Sequence, residues 1–275
     1  MKNLILVFST DIKESLRSKW FLFYTLVFGG IIALFFITGV TESRVQGFSG
    51  LSRVLLIFIE ICIVIVPIFI LINTVRTIAA DRDSNVLEYL LSFPISLKEY
   101  FFGKILGKLF STTLPILGAL ALALVWSIFK SVQIPWEVFF YFILLIISVN
   151  ICFLGFSFFI SSLVKTQEIA LAIAFFLWLF FLAFLDILLI GALIKTTANA
   201  ELIYSIALVN PLQVFRIGAI VLFDPQLSVI GPASYFILDE FGKNFLMVYC
   251  LVYPILLGCI FSFIGYKIFK KKDLV

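Results

Sequence analysis

Six apolar runs decide what this chain can fold into. They cover roughly Trp20–Val40, Val54–Ile72, Ile105–Phe129, Trp136–Leu163, Ile169–Ile194 and Phe245–Phe269. About 20 consecutive apolar residues suffice to cross the hydrocarbon core of a bilayer. Backbone amides have no water to bond in lipid, so each run predicts a helix that satisfies its own hydrogen bonds. The period-two alternation of a membrane β-barrel is absent. A water-soluble fold is excluded because 63% of the 275 residues are hydrophobic and 13% charged, against about half and a quarter in soluble domains. The expectation is an all-α membrane protein, with one transmembrane domain over residues 1–275 and six transmembrane helices.

Orientation follows from Lys and Arg, which accumulate on the cytoplasmic side. An even number of spans puts both termini on one side. That side collects 14 of the 20 basic residues, including Lys2, Lys13, Arg17, Arg82, Lys104, Lys108 and the tail lysines from Lys267 to Lys272. Both termini are therefore predicted to be cytoplasmic, with Trp20, Trp126 and Trp136 as interfacial anchors. Residues 1–19 are too polar to span, and no cleavable signal peptide is expected, because their apolar stretch is short and interrupted by charge. Ile5, Phe8, Ile12 and Leu16 recur at helical spacing, which predicts an interfacial helix resting this face on the membrane.

The external loops are unequal. Residues 196–244 make a segment of 49 residues, and "LIYSIALVNPLQVFRIGAIVLF" within it is apolar and helix-compatible. Two expectations stand side by side: a docking surface for a partner, or a lid packed on the bundle's own outer end.

Few residues offer chemistry. The chain has no His, which excludes a Ser-His-Asp arrangement. Cys62, Cys152, Cys250 and Cys259 lie singly in apolar runs, and Met247 is the one Met besides the initiator. No metal site is expected, and soft-metal transport through the bundle is disfavoured for lack of ligands. "GKILGKLF" falls short of a phosphate loop: Gly103 and Gly107 are one residue too close, and Leu109 stands where a hydroxyl is needed. Close helix packing is the expected use of these glycines. The polar residues within spans are Glu60, Asn150 and Asp186, which are functional candidates because such groups are costly in lipid. Glu60 and Asp186 lie near the outer ends and would face an outward cavity, a partner or headgroup water. Pro67, Pro115 and Pro254 interrupt spans and tend to kink them.

The polar segment 77–100 separates the second and third runs. On a helical wheel Val86, Leu87, Leu90 and Leu91 share one side, and Asn85, Glu88, Tyr89 and Ser92 the other. A single short helix is expected, capped by Asp83 or Ser84 and ended by Pro94, with an apolar face for the bundle and a polar face for the cytosol or a protein.

These residues resemble a family. ABC-2 type permeases carry E-R-E-x-G-T-L-E-x-L-L-x-x-P after their second span, and this chain reads Asp81-Arg82-Asp83-Ser84-Asn85-Val86-Leu87-Glu88-Tyr89-Leu90-Leu91-Ser92-Phe93-Pro94. Asn85 stands in place of Gly, the other residue at ease in left-handed geometry, and Val86 replaces Thr. The order of elements, interfacial helix, two spans, this segment, four spans and a basic tail, fits the type V exporter-like architecture. The resemblance implies a homodimer in the bacterial inner membrane with two ATPase subunits on the cytoplasmic side. The permease itself would be non-catalytic and bind no cofactor, with ATP and magnesium held by the ATPases. Arg82, Asp83, Asn85, Glu88 and Tyr89 would then be the ATPase-coupling contacts.

The stretch from Asn210 to Tyr235 further resembles permeases of the complexes that mature the copper sites of nitrous oxide reductase. It carries Asn210, Pro211, Phe215 and Arg216, then Asp224, a Gly231-Pro232 turn and Tyr235. That resemblance implies that these residues dock a periplasmic β-helical copper-delivery protein, with motion rather than copper passed through the bundle. An ABC-2 exporter of a lipophilic or organic substrate, or a membrane scaffold without an ATPase, are the alternatives. Lipid is an expected contact and nucleic acid is not.

Overall fold

The computed structural model describes residues 2–37, 50–91, 93–129, 136–184, 187, 208–223 and 242–272. Every regular element among them is helical: α1 (Lys2–Arg17), α2 (Lys19–Ile37), α3 (Gly50–Thr74), α4 (Arg76–Asp83), α5 (Val86–Leu91), α6 (Leu97–Phe129), α7 (Trp136–Leu163), α8 (Gln167–Leu179), α9 (Pro211–Phe223) and α10 (Lys243–Lys272). The last turns of α8 widen into a π-helix over Phe180–Phe184. Five helical stretches, in α3–α4, α6, α7, α8 and α10, are long and apolar enough to cross a membrane, and α2 carries a shorter apolar stretch, Phe21–Gly30.

The fourth run folds as expected, with α7 occupying Trp136–Leu163. The third helix starts eight residues before the apolar run, at Leu97. A capping box explains this. The Ser96 hydroxyl accepts the Glu99 amide (3.2 Å), while the Glu99 carboxylate accepts the Ser96 amide (3.1 Å). Two orphan amides at the helix start are satisfied reciprocally. The prolines do not end their helices, since α3, α6 and α10 run through Pro67, Pro115 and Pro254.

α7 is the central helix, packed against α3, α4, α6, α8, α9 and most extensively α10. At its glycines the α7–α10 contact is backbone on backbone. A Cβ built on Gly155 would overlap the Gly258 carbonyl, and one on Gly258 would overlap that of Ile151. Gly265 continues the seam, where a Cβ would lie 3.0 Å from Phe159 Cα. Small residues are the usual device for such approach in lipid, where burial against a neighbour gains little over burial in acyl chains.

Gly103 and Gly107 do serve close packing, and their partner is α1. A Cβ on Gly103 would meet Val7 at 2.9 Å, and one on Gly107 would meet Asp11 at 2.6 Å. The face of α1 that packs is thus Val7, Asp11 and Ser15, all buried. This face is distinct from the apolar one expected to rest on the membrane. Ile5 is 60% exposed and Leu16 37% exposed, and Phe8 and Ile12 are only partly covered. The apolar stripe remains for lipid, while a stripe containing a carboxylate docks on the bundle because α6 supplies Lys108 opposite it. Lys108 Nζ lies 3.6 Å from Asp11 Oδ1 and donates to Ser15 Oγ at 2.9 Å.

Candidate functional site

The segment between the second and third runs carries a short helix inside the expected bounds, preceded by a second one. α4 ends at Asp83, and Asn85 adopts φ 57°, the only non-glycine residue among those described with a positive φ. Asn tolerates this left-handed geometry, which penalises most side chains. The expected cap is also displaced. The Ser84 hydroxyl turns back to donate to the Ala80 carbonyl (2.7 Å), closing α4 rather than opening α5. α5 then runs Val86–Leu91.

On α5 the two-sided character survives. Leu87 is buried and Leu90 half-buried, while Asn85, Glu88 and Tyr89 are exposed, as is Asp83 on the preceding turn. Val86 departs from the expected inner face and is exposed. Tyr89, 66% exposed, meets the exposed Phe93 edge to face at 5.2 Å. The outward surface therefore presents two carboxylates, an amide and an aromatic pair.

Arg82 does not belong to that surface. Its guanidinium donates to the Val164 carbonyl at 2.6 Å, just past the C-terminus of α7. In return, Ser161 of α7 accepts the amides of Ile78 (3.1 Å) and Ala79 (3.0 Å), first-turn donors of α4 that Val75 offers no side chain to cap. Each helix thus satisfies the free backbone groups of the other's end, which a helix terminus must find outside itself. Asp81, next to Arg82, points the other way. It forms an ion pair with Lys104 and accepts a hydrogen bond from the Tyr100 hydroxyl, both on α6. A further tie comes from α1, where Asn3 Nδ2 donates to the Pro94 carbonyl at 2.7 Å. α4 is therefore fastened to α6 through Asp81 and to α7 through Arg82 and Ser161, with α5 carried outside.

The charges beneath α4 are mostly covered. Burial pushes the Asp11 carboxyl above its ordinary range, against the pull of Lys108 and Lys104. One of its oxygens, Oδ2, has no hydrogen-bond partner.

Among the residues flagged within spans, Asn150 is fully buried. It accepts from Thr112 (3.0 Å) and donates to Thr113 (2.6 Å), stapling α7 to α6 one turn before Pro115. It faces a neighbouring helix, not a cavity. Glu60 pairs with Arg216 at 3.4 Å, the two being 57% and 30% exposed, so two residues selected on separate grounds meet. Asp186 lies outside the described residues, as do Asp224, Tyr235 and the Gly231-Pro232 turn.

Three of the outer docking candidates are corrected by burial. Asn210 and Pro211 are buried and Phe215 is 2% exposed. Asn210 caps α9 by accepting the Leu212 amide (3.0 Å), and it donates to the Phe181 carbonyl (2.8 Å) in the π-helical turn. Pro211 follows at the first helical position, where its missing amide costs nothing. Phe215 rests on Phe142, ring to ring at 6.0 Å. α9 packs against α3, α7 and α10. The ties missed by sequence reasoning are Asn3, Asp11, Asp81, Lys104 and Ser161. The S-x-x-E box at Ser96–Glu99 was a readable signal for the start of α6. Ser161 carries no mark that separates it from Ser157 or Ser162.

A helical bundle with several bilayer-length helices and a short polar helix slung beneath one end defines a multi-pass membrane protein. The model of the ABC-2 family transporter protein matches residues 5–274, and the chain belongs to that family. It is similar to the "Probable ABC transporter permease protein NosY" of Stutzerimonas stutzeri, 23% identical over 231 residues that cover 82% of this chain and 83% of the relative. The protein of that name from Pseudomonas aeruginosa is 23% identical over 214 residues, covering 75% and 78%. The chain is accordingly a permease subunit of an ABC transporter, a membrane transport subunit whose family implies association with ATPase subunits.

Proposed function

We propose that this permease spans the bacterial inner membrane six times with both termini cytoplasmic, works as a homodimer, and transmits ATP-driven motion from separate ATPase subunits to a periplasmic partner. The observation that carries the reading is the mounting of α5. It is exposed through Asn85, Glu88 and Tyr89, yet rides on a helix fastened to both α6 and α7. A push on α5 is delivered to two spans at once. From α7 it passes through the glycine seam to α10, and through Leu145 and Phe142 to the enclosed helix α9. The similarity to proteins named NosY supports maturation of the copper sites of nitrous oxide reductase as the process served. ATP and magnesium belong to the ATPase, and a β-helical copper-delivery protein is the external partner.

The competing reading is export of a lipophilic substrate. An apolar groove of about 520 Å³ between α1 and α6, lined by Leu4, Phe8, Leu106, Phe110 and Leu114 among others, favours it. Glu88→Lys on the assembled complex tests the coupling assignment. The variant is expected to insert normally and lose stimulation of ATPase activity by the permease. Unchanged ATPase recruitment and stimulation would remove α5 from the mechanism. Loss of nitrous oxide reductase copper loading in cells, without loss of efflux of lipophilic dyes, separates the two readings.

A further inference from the structure

α10 carries two opposed faces to its very end. One is fixed in the bundle: Phe269 is fully buried against Tyr100 and Phe101, and Tyr266 packs on Phe101 and Phe102. The other is exposed and apolar from Phe245 to Ile264. At 1.5 Å per residue this face is about 28 Å long, against a hydrocarbon core about 30 Å thick. It ends in lysines. On the helical wheel Lys267, Lys270 and Lys271 fall within the same arc, about 100° wide, as Leu256, Ile260 and Phe263, and all three are exposed. They occupy about 6 Å of helix axis, the depth of one headgroup layer. Lys267 Nζ sits 4.8 Å over the Phe263 ring, which holds the first ammonium at the boundary between apolar and polar surface. No ion pair among the described residues engages these lysines.

We infer that the end of α10 is a binding site for anionic phospholipid, with the acyl chains on the apolar stripe and the phosphodiester among Lys267, Lys270 and Lys271. Lysine suits this use because it is a mobile point charge with three donors, able to meet a phosphate whose position is not fixed. The continuity of the lysines with the lipid-facing stripe is what assigns them to a lipid rather than to a protein surface. The rigid anchoring of Phe269 and Tyr266 keeps them there.

The experiment uses the full chain in phosphatidylcholine vesicles and compares spin-labelled phosphatidylglycerol with spin-labelled phosphatidylcholine at the protein surface. The wild type is expected to prefer the anionic lipid about threefold or more, a preference weakened by salt. K267Q/K270Q/K271Q should bring the ratio close to one, and K267R/K270R/K271R should keep it. An unchanged ratio in the glutamine variant overturns the site, and so does a loss in the arginine variant, which keeps the charge. A glutamine variant that retains lipid selectivity but no longer captures its ATPase subunit would assign the lysines to a protein surface instead. Because lipid selectivity is measured on the chain without its ATPase, failure of the transmission reading leaves that ratio untouched.

Discussion

At Asn85 the backbone passes through φ 57° between α4 and α5. Left-handed geometry costs an ordinary L residue about 1–2 kcal/mol, and most for β-branched side chains. Asn85→Gly should therefore leave thermal stability unchanged or slightly raised. Asn85→Val should lower it by about 1–2 kcal/mol and detach α5 from its register, read as faster proteolysis between Asp83 and Pro94. The resemblance of this segment to a motif with Gly at that place is thus physical: both residues serve the same turn. Asp11 offers a second test at this scale. Its carboxyl titrates above the ordinary range because burial disfavours the charged form. The folded state therefore holds the proton more tightly than the unfolded chain. Its contribution to stability is fully present below the ordinary carboxylate pKa and is lost as pH rises through the elevated one. Hydrogen exchange of the α1 amides should accordingly lose protection, beyond the intrinsic pH effect, as pH rises through that window. Asp11→Asn, which cannot titrate, should flatten the dependence.

The elements show where sequence patterns reach and where they stop. α7 was legible to the residue because Trp136 and the polar stretch after Leu163 bound an unbroken apolar run. The break at Asn85 was legible in part: Asn in place of the motif's Gly marked a left-handed position, but a wheel drawn through Asp81–Pro94 presumes uniform helical geometry, and one residue in another basin divides it. The packed face of α1 was illegible for a different reason. Apolar spacing finds the face that avoids water, but in a bilayer that face has two possible neighbours, lipid and protein. Here Ile5 and Leu16 are left exposed, while Asp11 is buried because Gly107 admits it and Lys108 answers its charge. The glycine seam makes the same point with energies attached. A methyl group on Gly155 has the Gly258 backbone in its way, and forcing extra atoms into a packed interface costs about 1–3 kcal/mol or more. Gly155→Ala should reduce the yield of folded protein and its melting temperature, whereas Gly118→Ala, with open space around its Cα, should leave both unchanged.

For the molecule as a whole, composition and six runs sufficed for a helical membrane protein, and the fourteen-residue segment for its family. The placement of the outer residues did not follow. Asn210, Pro211 and Phe215 have the look of a displayed motif, yet they are spent on capping α9 and seating it among α3, α7 and α10. Nor could the sequence reveal that Arg82 faces inward, because its partner Val164 is a backbone carbonyl, and any residue type has one. The reciprocal ties between α4 and α7 make a prediction that belongs to the complex. Ser161→Ala leaves two buried amides without their acceptor, at a cost of about 1–3 kcal/mol, while leaving Asn85, Glu88 and Tyr89 intact. It should preserve ATPase recruitment and lower the permease's effect on ATP turnover, measured in reconstituted vesicles. Equal loss of both would place Ser161 in folding alone.

The bare-backbone seam between α7 and α10 also limits how this molecule can change shape. Two helices whose peptide groups touch at Gly155 and Gly258 are also interlocked by Phe156 on Phe261 and by Tyr141 and Ser148 bonded to carbonyls of α10, so they translate and rotate together as a plate. α9 is lodged against that plate through Gly218 and Cys250. The plate meets α6 through the buried Asn150 amide between two threonines and through an aromatic cluster of Phe101, Tyr266 and Phe269. The polar bonds among these can be exchanged for others at similar free energy, one at a time. The bundle thus has a stiff pair, and the change of shape that the proposed transmission requires should fall on the polar contacts with α6 rather than within the seam.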